Sequence, residues 1–76
     1  MSQRLPAVKP KDALRALLRA GFVLDRISGS HHILKHPAKP ALRVTIPVHG
    51  KDMRRRTLLS LIEQAGFSTE EFIDLL

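Results

Sequence analysis

Three of the chain's four histidines fall within the run Gly29-Ser30-His31-His32-Ile33-Leu34-Lys35-His36. A neutral imidazole, which titrates near about 6.5 when unperturbed, can take the proton from a ribose 2′-hydroxyl at cellular pH. His31 follows a Gly-Ser pair, where the backbone can approach a phosphate closely and offer N–H groups or a hydroxyl. Lys35 could hold the charge that develops on the phosphorus oxygens. His31, with Ser30 and Lys35 assisting and Gly29 in the approach, is therefore a candidate site for cleaving a phosphodiester. The plainer reading of an exposed histidine is an inert surface residue.

Metal chemistry is the other use of clustered histidines. Strand alternation sends His32, Leu34 and His36 to one face and His31, Ile33 and Lys35 to the other. His32 and His36 are four strand rises apart, about 13 Å, too far to share an ion. Neither Asp25 nor Asp52 adds ligand spacing, so no metal is expected. Lysine is rarely buried without a partner, which favours the His31 face as the solvated one, with the reverse register as the alternative. Leu34 then points into the core, flanked by two structural histidines, and Ile33 is left on the open side.

A second cluster is Lys51-Asp52-Met53-Arg54-Arg55-Arg56. It sits at the expected start of a helix, with Asp52 as its N-cap. Cations at that end oppose the helix dipole, so their placement favours a binding role. Lys51, Arg54, Arg55 and Arg56 are read as phosphate contacts. Charge is also uneven along the chain. Residues 1–62 hold all 13 Lys and Arg against Asp12, Asp25 and Asp52, a net +10, while residues 63–76 carry four acids and neither Lys nor Arg. Such a body suits a polyanion such as nucleic acid; the plainer reading of the basicity is solubility alone.

Size limits what else is possible. The chain has 76 residues, 43% hydrophobic, and no cysteine. That describes one small globular domain without a disulfide scaffold, a thiolate metal site or a cysteine nucleophile. A deep pocket for a nucleotide cofactor is not expected, and no cofactor is assigned. No apolar run approaches the roughly 20 residues of a membrane span. The first residues lack the apolar stretch of a secretory signal. A cytoplasmic location with no membrane partner is expected.

The elements that position these residues follow from periodicity. Residues 1–8 read as a flexible arm, leaving 9–76 as the domain. Pro10–Ala20 fits a helix, with Pro10 in its first turn, Asp12 near the positive end and Gly21 as its stop. Ala13, Leu14, Leu17, Leu18 and Gly21 form its apolar side, and Lys11, Arg15 and Arg19 a basic stripe. Phe22–Ile27, His31–His36 and Ala41–Ile46 read as three strands, the first two joined by Ser28-Gly29-Ser30 and the last two separated by the break Pro37–Pro40. Met53–Ala65 is a second long helix, with Leu58, Leu59, Ile62 and Ala65 facing the core. Ser68 and Glu71 have capping-box spacing at the start of a short terminal helix carrying Phe72, Leu75 and Leu76.

The order is α-β-β-β-α with a short C-terminal helix. Each long helix has one apolar stripe, so both must cover the same face of a three-stranded antiparallel sheet. This α+β arrangement resembles the double-stranded-RNA-binding-domain fold. Gly21-Phe22, Gly29-Ser30-His31-His32, Lys35-His36-Pro37, Val44-Thr45-Ile46-Pro47, His49-Gly50-Lys51-Asp52 and Thr57-Leu58 through Gln64-Ala65-Gly66 together resemble the HicA toxins of toxin–antitoxin modules and the related YcfA-like proteins. The resemblance runs from about Lys11 to Phe72. It implies a double-stranded-RNA-binding-like fold, ribosome-independent mRNA cleavage, a catalytic histidine at His31, and a HicB-type antitoxin that covers it. Arg56 stands where many relatives have Gly, and Ala38-Lys39-Pro40 replaces an Asp-Gly type of turn. The competing readings are a non-catalytic RNA-binding module using the same basic surface, and a protein-interaction module docking through the face that carries Ile33.

Overall fold

The structure is a computed structural model that describes residues 5–76. Its elements are α1 (Pro10–Arg19), β1 (Val23–Ser28), β2 (His31–His36), β3 (Lys39–Pro47), α2 (Arg55–Gln64) and α3 (Thr69–Leu75). The strands form one antiparallel sheet in the order β1-β2-β3. The α+β, double-stranded-RNA-binding-like architecture expected from the sequence is the one observed.

Leu34, Val44 and Ile46 alternate onto the helix-covered face and are fully buried. Burying each such side chain contributes roughly 1.5–3 kcal/mol. Both helices turn differently from the simplest periodic reading. In α1 the buried residues are Pro10, Ala13, Ala16 and Leu17, while Leu18 is 45% exposed. In α2 they are Leu58, Leu61 and Ile62, with Ala65 just beyond, while Leu59 is 43% exposed. Ala13 and Ala16 are fully buried in a helix that packs against β3 and α3, and their small side chains allow a close approach. Counting only large apolar residues therefore points the helix the wrong way. The capping box of α3 forms as expected: Glu71 N–H donates to Ser68 Oγ, and Ser68 N–H donates to the Glu71 carboxylate.

Three other expectations are corrected. Leu5 and Val8 are buried core residues, so the packed domain reaches residue 5, and 5–8 are no loose arm; residues 1–4 of that arm lie outside the described residues. β3 begins at Lys39, because Pro37-Ala38 alone make the turn and His36 pairs with Lys39. Asp52 is not the N-cap of α2. Met53 N–H donates to Val8 C=O at 3.0 Å, which draws residue 53 towards the segment before α1. Arg54, in extended backbone, becomes the N-cap, without a side-chain cap.

No residue of β1 is buried. The helices pack on β3, and Leu24 and Ile27 stay 46% and 54% exposed at the free edge. Edge strand β3 is protected by Gln64, whose side-chain oxygen accepts from Thr45 N–H at 3.1 Å.

Candidate nuclease site

β1 and β2 are joined by the two residues Gly29-Ser30, between the paired residues Ser28 and His31. Gly29 has φ +60 and no other residue of the turn is left-handed, the pattern of a type II′ hairpin, which places Gly first. The turn carries the chain directly into His31. Gly29, Ser30 and His31 are all exposed, and the His31 ring has no hydrogen-bond partner among the described residues. His31 shares its face with Ile33 and Lys35, opposite the face of buried Leu34, as alternation requires. Ile33 is half-buried there.

Of the two histidines on the other face, His36 is held by the protein. His36 packs edge-on against Phe22, with ring centroids 4.9 Å apart. Its Nδ1 accepts from Ala38 N–H at 3.2 Å, so the ring proton sits on Nε2, which donates to Ala20 C=O, also at 3.2 Å. His32 is half-buried, and its Nδ1 is enclosed without a partner among the described residues. Among the described residues, no group of three or more His, Cys, Asp or Glu is arranged to hold a metal.

Lys35 is more constrained than its sequence suggests. Its ammonium lies 3.4 Å from Asp25, and the same carboxylate accepts from Arg43 at 3.2 Å. Asp25 sits at a β-bulge between Leu24 and Arg26. The bulge puts an extra residue into β1, so its carboxylate reaches the open face between two cations. Hydrogen bonds from Arg43 and then Lys35 hold its carboxyl below the ordinary 3.8. Both cations remain accessible, with half or more of each side chain exposed. Sequence reasoning gave Asp25 no role. A bulge leaves no mark in strict alternation beyond one acidic residue out of phase.

The end of β3 brings the second cluster to the same end of the sheet. His31 pairs with Pro47, and Val48 N–H donates to Ser30 C=O at 2.7 Å. Lys51 and Arg54 then line one cavity of about 410 Å³, together with His49 and Asp52. Arg55 and Arg56 are exposed in the first turn of α2 and line a different, shallower depression. The contiguous run of cations is thus split between two surfaces. None of Lys51, Arg54, Arg55 and Arg56 forms an ion pair among the described residues. No helix of the described residues is long and apolar enough to cross a membrane.

Among the described residues, the arrangement combines an unpartnered imidazole beside a tight turn with cations that form no ion pair. A family model described as the HicA toxin of bacterial toxin–antitoxin matches residues 10–67, most of the chain. No curated protein is matched.

Proposed function

The chain belongs to the HicA toxin family of toxin–antitoxin systems, and from that premise we propose that it is an endoribonuclease that cleaves mRNA without a metal cofactor, with His31 as general base. His31 removes the proton from a 2′-hydroxyl, the 2′-oxygen attacks the adjacent phosphorus, and the P–O5′ bond breaks. The 5′-oxygen leaves with a proton from solvent or a nearby acid, giving a 2′,3′-cyclic phosphate and a 5′-hydroxyl. Ser30 and the backbone of Gly29 approach the phosphate, while Lys35 offsets charge on its oxygens. Lys51, Arg54, Arg55 and Arg56 grip the flanking phosphates. The observation that carries this reading is the 2.7 Å hydrogen bond from Val48 to Ser30, which ties the loop leading to the unpaired cations to the turn before the free imidazole.

The same reading makes the protein partner a HicB-type antitoxin that covers His31, and the compartment the cytoplasm, where mRNA is met. Purified protein, free of antitoxin, incubated with a long single-stranded RNA in EDTA is expected to cleave it, and His31→Ala to bind RNA without cleaving. Intact RNA with folded wild type would leave a non-catalytic RNA-binding module.

A further inference from the structure

The cavity lined by Lys51 and Arg54 does not end at the β3–α2 loop. A second cavity, of about 570 Å³, shares Pro10, His49, Gly50 and Lys51 with it and adds Lys9, Lys11 and Val48. Together they make one groove, with the loop after β3 as one wall and the start of α1 as the other. The bond from Met53 N–H to Val8 C=O fixes the spacing of the walls, because Val8 is itself a core residue. At its other end the groove reaches Val48, the residue hydrogen-bonded to Ser30 beside His31.

The charge of the groove has one sign. Lys9, Lys11, Lys51 and Arg54 contribute cations, and the only acid in the lining is Asp52. None of these groups is ion-paired among the described residues. Like charges facing each other across a groove repel and destabilise the fold, and a bound polyanion relieves that cost. An RNA strand supplies phosphates at regular intervals, which matches cations spread along two walls.

We propose that the groove between Lys9-Pro10-Lys11 and the 48–54 loop is a phosphate track, along which an RNA strand runs to or from the scissile bond at His31. The inference rests on the nuclease reading above and adds to it a second wall, supplied by the start of α1. Lys9, the extended N-cap of α1, and Lys11, in its first turn, are binding residues whose positions in the sequence give no sign of that role.

The test uses the full chain with His31→Ala, so that RNA stays intact, and measures fluorescence anisotropy of a labelled single-stranded RNA across salt concentrations. Lys9→Gln with Lys11→Gln should weaken binding several-fold and reduce the slope of log K against log salt by about 1.4, two phosphate contacts on a single strand. Arg15→Gln, exposed on the same helix but lining another cavity, should change neither. Half that loss from Arg15→Gln, the share of its single charge, would reduce the effect to net charge and overturn the proposal. So would unchanged RNA binding by the lysine double variant, with the nuclease reading left standing if Arg54→Gln still weakens it. Retained RNA affinity with loss of binding to polyglutamate would assign the groove to an acidic polypeptide instead. No RNA binding by the His31→Ala parent would bring down the nuclease reading itself.

Discussion

β2 begins and ends with histidine, and the two ends of that strand have opposite characters. His36 has both ring nitrogens engaged, one with Ala20 C=O and one with Ala38 N–H, and an aromatic edge against Phe22. His31 is exposed, and its ring nitrogens are unengaged among the described residues. The surroundings differ in the same way. Around His36 the end of α1, the start of β1 and the β2–β3 turn meet. Around His31 lie a bare hairpin turn and a loop leading to unpaired cations. An imidazole whose nitrogens are both committed staples backbone segments together. One whose nitrogens are free can exchange a proton with a substrate.

Substituting each histidine tests that division most sharply. His31→Ala should lower RNA cleavage by about 10²–10⁴-fold, the usual contribution of a general base, and change stability by no more than about 0.5 kcal/mol, as at most surface sites. His36→Ala should do the reverse. It strands Ala20 C=O and Ala38 N–H and removes the contact with Phe22, a loss of about 1–3 kcal/mol. Thermal unfolding measured beside single-turnover cleavage at low temperature separates the two. A His36→Ala protein that is folded yet inactive, with His31→Ala still cutting, would reverse the assignment.

Two glycines extend the contrast to the backbone. Gly21 has φ +98, and a Cβ there would stand 2.9 Å from His36 Nε2. Gly29 has φ +60 with open space around it. Gly29→Ala should cost about 1–2 kcal/mol, the left-handed penalty alone. Gly21→Ala should cost more, since the staple must also move. Denaturant midpoints for the pair give the ranking, and equal losses would show that the His36 end yields as easily as the other.

Much of this organisation was legible in the residues. The Gly-Ser turn, the alternation of His31, Ile33 and Lys35 against buried Leu34, and the Ser68–Glu71 box all depend on local rules, and all appear as the local rules require. Non-local features did not show. The staple at His36 needs the end of α1 to meet the β2–β3 turn, and no spacing between residues 20, 36 and 38 announces that. Asp25 reaches Lys35 and Arg43 through a bulge, which strict alternation conceals. The turn of α1 about its axis is set by Ala13 and Ala16, whose small size matters only once β3 and α3 are against them. The candidate site was legible as two separate clusters, and the Val48–Ser30 bond that joins them was not.

One residue before His36 but on the face that carries His31, Lys35 belongs to neither end, and Asp25→Asn asks which way it leans. Amide replacement removes the charge that engages Lys35 and Arg43, leaving both cations free on the open face that His31 shares. RNA affinity should rise a few-fold at low salt, with a steeper salt dependence, because more uncompensated cations face the phosphates. Stability should change little, since exposed ion pairs contribute about 0–1 kcal/mol. A fall in affinity would mean that Asp25 orients Lys35 for the substrate.

The smallest expected effect is the dependence of stability on acid. Asp25 is held below its ordinary 3.8 by Arg43 and then Lys35, and Glu71 below its ordinary 4.5 by the backbone N–H and then the hydroxyl of Ser68. In each case the unfolded chain binds protons at a higher pH than the folded one. Stability from both groups is therefore complete above about pH 5 and is lost as pH falls through their depressed values. The two contributions can be told apart by substitution. Asp25→Asn should flatten the acid limb through the open face of the sheet, while Glu71→Gln should flatten it through α3 and leave the Lys35–Asp25–Arg43 cluster intact. Chemical denaturation at a series of pH values reads both slopes. If neither substitution changes the acid limb, the carboxylate contacts on that face do not persist in solution, and Lys35 is as free as His31.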